Sequence, residues 1–277
     1  MKKTTAALLG VAGTAAAIAT VPYLHRQNTD LEASHYIFRS HKIGGALEGF
    51  RITQISDLHN RKFGTGNLRL LALTEAQLPD LLVITGDLTD SYRPNLQQAL
   101  DTAARLAKIA PCYFVTGNHE LRMEQQELED FLRALEGVGV TPLRGEAVTL
   151  GLGLGFRLLG VDANRASGEH LKRLMKNRPP EELNILLSHK PHYAKSYEKS
   201  GVDLVLTGHA HGGQWRLPGV GGLYAPGQGP LPRYTAGMYR LGNTVMCVSR
   251  GLANFPLLPR VENKPEIVTV ILRGEKK

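Results

Sequence analysis

Five short apolar runs punctuate this chain, and each ends in a polar turn. "FRITQIS" (50–56) leads into Asp57-Leu58-His59, and "LLVIT" (81–85) into Gly86-Asp87. "CYFVT" (112–116) leads into Gly117-Asn118-His119-Glu120, "NILLS" (184–188) into His189, and "DLVLT" (203–207) into Gly208-His209-Ala210-His211. Runs of this length, rich in β-branched and aromatic residues, read as buried strands. Helical patterns lie between them at 66–78, 95–109 and 124–138. Strands alternating with helices imply an α/β sheet covered by helices. Past residue 150 the rhythm changes. "GLGLGFRLLGV" and "GNTVMCVSR" read as strands without long helices between them, which predicts a second sheet with mixed or antiparallel pairing. The Gly- and Pro-rich stretch 212–238 reads as a long loop. No internal repeat is present.

In open α/β sheets, ligands bind in the crevice beyond the carboxyl ends of the strands. If these strands are neighbours, their polar turns converge on one rim. Three of the turns begin with Gly, which lets the backbone turn sharply without a Cβ penalty. Imidazole, carboxylate and amide oxygen together suit borderline or hard divalent metals such as Mn, Fe or Zn, with Mn the first expectation. Asp57, His59, Asp87, Asn118, His189, His209 and His211 are too many ligands for one tetrahedral ion. They fit two divalent metal ions that share a carboxylate, and Asp87 is the natural bridge because a carboxylate has two oxygens. Paired ions of this kind recur as a clamp for in-line displacement at phosphorus.

The amino terminus, MKKTTAALLGVAGTAAAIATVPYLHR, places Lys2 and Lys3 ahead of a stretch from Thr4 to Leu24 without formal charge. This is the layout of a signal peptide or signal anchor, expected over residues 1–30. It predicts an exported or membrane-associated protein with its catalytic body outside the cytoplasmic membrane. The remaining chain suits one large domain, expected over 45–275. The net charge of +8 favours anionic surroundings, either a membrane face or a phosphate-rich substrate. No basic run is interleaved with aromatics, so a nucleic-acid partner is not expected. Nothing sets an oligomeric state. Cys112 and Cys247 each sit in an apolar run and read as buried strand thiols rather than a disulfide.

In this order and spacing, "DLH", "GDLTD", "GNHE", a lone His and "GHAH" resemble the calcineurin-like metallophosphoesterases, over residues 57–211. "GHAHGGQWRLP" and "SRGLANFPLLPR…PEIVTVIL" extend the resemblance to a membrane-associated bacterial subgroup, up to about residue 272. The resemblance implies a four-layer α/β/β/α sandwich built on two mixed β-sheets. It implies that Asp57, His59, Asp87 and His211 hold one metal, and that Asp87, Asn118, His189 and His209 hold the other. His119 would face the substrate and protonate the leaving-group oxygen or stabilise phosphoryl charge. The implied activity is metal-dependent hydrolysis of a phosphodiester or pyrophosphate, with a phosphoester substrate that is lipid-linked or a nucleotide–sugar-lipid.

Other residues invite roles beside that frame. Arg250 in "VSRG" could reach a substrate phosphate, and Asn60 could touch substrate beside the first motif. Asp90 is poised either to orient a ligand or to cap its turn. Asp162 reads as a loop residue, and His170 and His192 as surface residues. Trp215 and the loop behind it fit a cleft wall or a membrane-facing lip. Two other functions compete with hydrolysis at a membrane. A metal-holding scaffold would have no need of His119. A nuclease of the same superfamily would carry DNA-binding segments or a capping domain, and little chain follows His211 to supply them.

Overall fold

The computed structural model describes residues 20–150, 155–176, 178–254 and 258–275. Residues 20–29 are helical (α1). The first half then supplies strands β1 (Glu32–Ser40), β2 (Arg51–Ile55), β3 (Leu81–Ile84), β4 (Cys112–Phe114) and β5 (Val140–Pro142). It also supplies helices α2 (Leu68–Glu75), α3 (Leu96–Leu106) and α4 (Gln125–Gly137). The second half supplies β6 (Glu146–Thr149), β7 (Phe156–Gly160), α5 (Gly168–Leu174), β8 (Leu183–Leu187), α6 (Ala194–Ser200) and β9 (Leu204–Thr207). After these come four two-residue strands, β10 (Arg216–Leu217), β11 (Gly221–Gly222), β12 (Tyr224–Ala225) and β13 (Gly229–Pro230). The chain closes with β14 (Gly237–Leu241), β15 (Thr244–Val248) and β16 (Glu266–Gly274).

These strands form two six-stranded sheets, in the orders β1-β16-β2-β3-β4-β5 and β14-β15-β9-β8-β7-β6. Both are mixed: β2, β3 and β4 run parallel while β16 runs antiparallel to β2. In the second sheet β7, β8, β9 and β15 run parallel, flanked by antiparallel β6 and β14. The expected second sheet and its mixed pairing are both present.

Alternation along the strands creates the layers. Leu82 and Ile84 of β3 face outward onto Leu70 of α2, Ala99 and Ala103 of α3, and Phe131 and Leu135 of α4. Leu81 and Val83 face inward onto Leu158, Ile185 and Leu206 of the opposite sheet. The outer face of the second sheet packs Leu186 and Val205 against Leu171 of α5 and Tyr197 of α6. The result is helix, sheet, sheet, helix. α3 shows the local logic. Ala99, Thr102, Ala103 and Leu106 form its buried stripe, and the Asn95 side chain caps it by accepting the Gln98 N–H at 3.0 Å. Cys112 lies in the helix-facing layer and Cys247 between the sheets, so each is a free, buried thiol.

Two expectations are refined. The stretch 212–238 is not one loop, because it folds back on itself as the small ladders β10–β11 and β12–β13. The first sheet also begins well ahead of residue 45, with β1 paired to β16 from Glu32 to Ser40. The expected leader over 1–30 falls mostly outside the described residues. Among the described residues, no helix is long and apolar enough to cross a membrane.

Candidate metal centre

The carboxyl ends of β2, β3 and β4 meet those of β8 and β9 where the two sheets abut. Gln54 ties the seam by donating to Thr85 Oγ1 at 2.7 Å and to the Thr207 carbonyl at 2.9 Å. The backbone turns hard at this rim. Asp57, His59, Asp87, His209 and His211 all have left-handed φ, between +46° and +63°. Side chains with a Cβ disfavour this region, and Asn, Asp and His tolerate it best. Local strain at site residues persists only where the surrounding structure over-determines it. Here the Asp57 N–H donates to the Gly86 carbonyl at 3.1 Å, and the His59 N–H to the Asp87 carbonyl at 3.0 Å.

Two of the three turn glycines serve a different purpose from the one expected. Only Gly86 has positive φ, at +89°. Gly117 and Gly208 are required by crowding instead. A Cβ on Gly117 would sit 2.0 Å from Asp87 Oδ1, and one on Gly208 would sit 1.9 Å from Ser56 Oγ.

The structure gathers the predicted residues into two adjoining groups. Asp57, His59 and His211 form one, and Asp87, His189 and His209 the other, with ligand atoms in each within 4.8 Å of one another. Asp87 Oδ2 lies between the groups, 3.1 Å from His189 Nε2 and 3.5 Å from His59 Nε2. Asn118 Oδ1 is 3.2 Å from His189 Nε2. Backbone contacts fix the imidazoles. His189 Nδ1 donates to the Thr85 carbonyl at 2.7 Å, which leaves Nε2 as its ligand atom. His211 Nδ1 faces the Ala253 carbonyl at 3.2 Å, with Nε2 3.7 Å from Asp57 Oδ1. Asp57 is anchored by Ser56 Oγ at 2.7 Å and by the His209 N–H at 3.0 Å.

These residues fit a divalent pair. His59 Nε2 is buried with no hydrogen-bond partner. Two buried carboxylates and four imidazoles are a donor set that a metal would satisfy. The protonation tendencies agree. Burial pushes His59 down to about 4, and burial likewise holds His209 and His211 below the usual imidazole range. Burial would lower His189 too, but the adjacent Asp87 carboxylate lifts it to about 9. His189 in return holds Asp87 well below the usual carboxylate range, against the opposing effect of burial.

A cleft of about 470 Å³ opens over this centre. His119 lines it, its ring centroid 4.4 Å from that of His59. The Ser91 N–H donates to His119 Nδ1 at 2.9 Å, so the hydrogen of the neutral ring sits on Nε2. Of the two jobs considered for it, Asp90 does the capping. Its Oδ1 accepts the Tyr92 N–H at 2.7 Å and lies 3.6 Å from His119 Nδ1.

Arg250 does not join the cleft. Its guanidinium pairs with Glu266 at 2.7 Å and Glu32 at 2.9 Å, a use that replaces the expected phosphate contact. Asn60 also stands outside the cleft lining, and its Nδ2 donates to Thr89 Oγ1 at 3.1 Å and to the Arg93 carbonyl at 3.2 Å. Asp162 is buried and accepts from Thr116 Oγ1 at 2.7 Å and Arg144 Nε at 3.0 Å, so it ties the two sheets' loops together. Expected on the surface, His192 instead lines the cleft beside Lys190 and Arg122. Neither Lys190 nor Arg122 was singled out by the sequence, because a lone cation near a motif gives no periodic signal.

The calcineurin-like phosphoesterase family matches residues 50–213, more than half of the chain and the span that builds this centre. The chain belongs to that family and is a phosphoester hydrolase. It is 29% identical to the metallophosphoesterase YkuE of Bacillus subtilis, over 88% of this chain and 86% of that protein. It is also 29% identical to the phosphodiesterase YaeI of Escherichia coli, over 80% of this chain and 82% of that protein. A Danio rerio transmembrane protein with a metallophosphoesterase domain is 27% identical over 84% of this chain, which spans only 55% of that relative's length.

Proposed function

We propose that the protein hydrolyses phosphodiester or pyrophosphate bonds at a dinuclear centre, with manganese as the working metal. Asp57, His59, Asp87 and His211 would hold one ion, and Asp87, Asn118, His189 and His209 the other. The observation that carries this reading is the position of Asp87 Oδ2, within 3.5 Å of an imidazole nitrogen from each group. When bound, such a pair lowers the pKa of a water and neutralises phosphoryl charge.

The protein's own contribution is orientation. Thr85 and Ala253 carbonyls aim two imidazoles, and the Asp57 and Asp87 carboxylates are fixed by backbone N–H groups. His119 presents an Nε2–H to the cleft and donates a hydrogen bond to the leaving-group or phosphoryl oxygen.

A lipid-linked substrate at a membrane is supported by the chain around the cleft mouth. Pro226 and Gly227 form part of the wall, and the same small ladders carry exposed Leu217, Val220, Tyr224 and Leu231. Trp215 stands beside them, 42% exposed. Exposed apolar side chains on the same segment that supplies part of the cleft wall suit an amphiphile whose tail stays in lipid.

The test is hydrolysis of bis-p-nitrophenyl phosphate and p-nitrophenyl phosphate by the purified full chain, stripped of metal and resupplied with Mn²⁺. Diester turnover that returns only with the metal is the expected result. Protein that binds two metals per chain and turns over neither these compounds nor a lipid diphosphate in mixed micelles would overturn the proposal.

A further inference from the structure

Arg122, Lys190 and His192 line the cleft but take no part in either ligand group. Arg122 ends the short turn Glu120–Arg122, three residues after His119. Its guanidinium lies over the Tyr92 ring, 5.4 Å from the centroid, and Nη1 donates to Ser91 Oγ at 3.2 Å. Lys190 follows His189 at the end of β8. Its backbone is braced by buried Tyr197, whose hydroxyl donates to the Lys190 carbonyl at 2.6 Å. His192 sits on the turn Pro191–Tyr193, its ring centroid 5.8 Å from that of His209. Gly227 presses on it from the opposite wall, so closely that a Cβ there would meet the ring at 2.4 Å. Its Nδ1 is buried and has no hydrogen-bond partner.

The carboxylates in the cleft lining are engaged elsewhere, Asp90 with the Tyr92 N–H at 2.7 Å and Asp87 with His189 at 3.1 Å. Among the described residues, Arg122 and Lys190 have no ion-pair partner. Cations that line a cleft without an ion-pair partner are a preformed site for an anion. A phosphodiester carries a single negative charge, and a centre of two divalent ions held by two carboxylates already has positive charge to meet it. Two more cations call for a second anionic group on the same ligand.

We propose that Arg122, Lys190 and His192 form a second phosphoryl subsite beside the metal centre, so that the preferred substrate is a diphosphate rather than a simple diester. Arg122 and Lys190 meet the charge of the second phosphoryl group, and the His192 ring forms the wall beside it. This inference rests on the phosphoester-hydrolase reading of the neighbouring centre.

The test is calorimetric binding of methylenediphosphonate and of methylphosphonate to Mn²⁺-loaded full-length protein and to its Arg122→Gln/Lys190→Gln variant. Both substituted side chains are at least partly exposed, and melting curves check that the variant folds. The wild type is expected to bind the diphosphonate at least 10-fold more tightly, and the variant to lose that preference to within about threefold. The His192→Ala variant is expected to weaken diphosphonate binding more than methylphosphonate binding. A wild type without the preference, or a variant that keeps it through the metals alone, would overturn the subsite. Turnover of bis-p-nitrophenyl phosphate by the same wild-type preparation reports separately on the hydrolase reading, so the two can fail independently.

Discussion

His211 Nδ1 lies 3.2 Å from the carbonyl oxygen of Ala253, and Arg260 Nε donates to that same oxygen at 3.1 Å. Arg260 is fully buried, and its remaining donors go to the carbonyls of Asn263 at 3.1 Å and Arg250 at 2.8 Å. Burial pulls this guanidinium down to about 9, helped by Arg61 and Arg250 nearby. A buried cation held only by carbonyl groups is an expensive device, and its position explains its use. It pins the loop after β15 so that Ala253 can set the tautomer of a metal-facing imidazole. Arg260→Lys cannot reproduce the fork of donors. It is expected to lower affinity for one of two Mn²⁺ ions by about 10–100-fold, the usual cost of losing a group that orients a ligand. Metal titration with atomic-emission counting checks this, and two ions bound with unchanged affinity would refute the pinning role.

Asp87 and His119 should separate cleanly under mutation. Asp87→Ala removes the shared carboxylate and is expected to abolish both Mn²⁺ retention and diester turnover. Normal turnover by that variant would sink the dinuclear assignment. His119→Ala is expected to keep the metals and lose about 10²–10⁴-fold in rate. The bond from the Ser91 N–H makes a sharper distinction possible. With Nδ1 occupied as an acceptor, His119 works by donating a hydrogen bond from Nε2. His119→Gln, which can place an amide N–H near that point, should then recover part of the rate lost in the alanine variant. Equal rates for Gln and Ala would instead mark full proton transfer.

The strand ends of this site were legible because each apolar run stops at a side chain that can bind a metal. Gathering them needed only the rule that parallel strands share a carboxyl edge. What surrounds the ligands was not legible. Arg250 and Arg260 look alike in sequence, yet one meets Glu32 and Glu266 and the other only carbonyl groups. That difference arises from where β1 and β16 bring their acids, which is a tertiary fact. The left-handed turns at Asp57, Asp87 and His209 were equally hidden, since Asp and His permit that conformation without demanding it. His192 reads as a surface residue until Gly227 closes over it.

The His189–Asp87 pair gives the metal-free protein a characteristic pH response. The folded His189 pKa, about 9, exceeds its ordinary value of 6.5. Its contribution to stability is therefore complete below about 6.5 and is lost as pH rises through about 9. His59, held near 4, has finished titrating before that window opens. The chelated protein should melt at progressively lower temperature from about pH 7 to about pH 9, and His189→Gln should flatten that slope. Mn²⁺-loaded protein should not show the decline, because metal binding takes the deprotonated imidazole and strengthens as pH rises. Melting curves across this range with and without chelator decide the matter. A chelated wild type whose melting point is level through the window would contradict the ion-pair account.

Glu120 holds the turns of the two central motifs together. Its buried carboxylate accepts the N–H of Asp87 at 2.9 Å, of Gly117 at 2.7 Å and of Thr89 at 3.1 Å. Burial, reinforced by Asp87, lifts its pKa to about 7, and those three donors oppose the rise. Both oxygens therefore act as acceptors, and Glu120→Gln would point an amide N–H at a backbone N–H. A buried donor left without an acceptor costs roughly 1–3 kcal/mol. In a domain of this size that is a fall in melting temperature of about 2–4 °C for each kcal/mol. Because the Asp87 N–H is one of the three donors, the loss should extend to Mn²⁺ affinity as well as stability. Differential scanning calorimetry on apo and loaded protein measures both. A variant that matches wild type in each would show that water serves these donors and that the carboxylate does not brace the site.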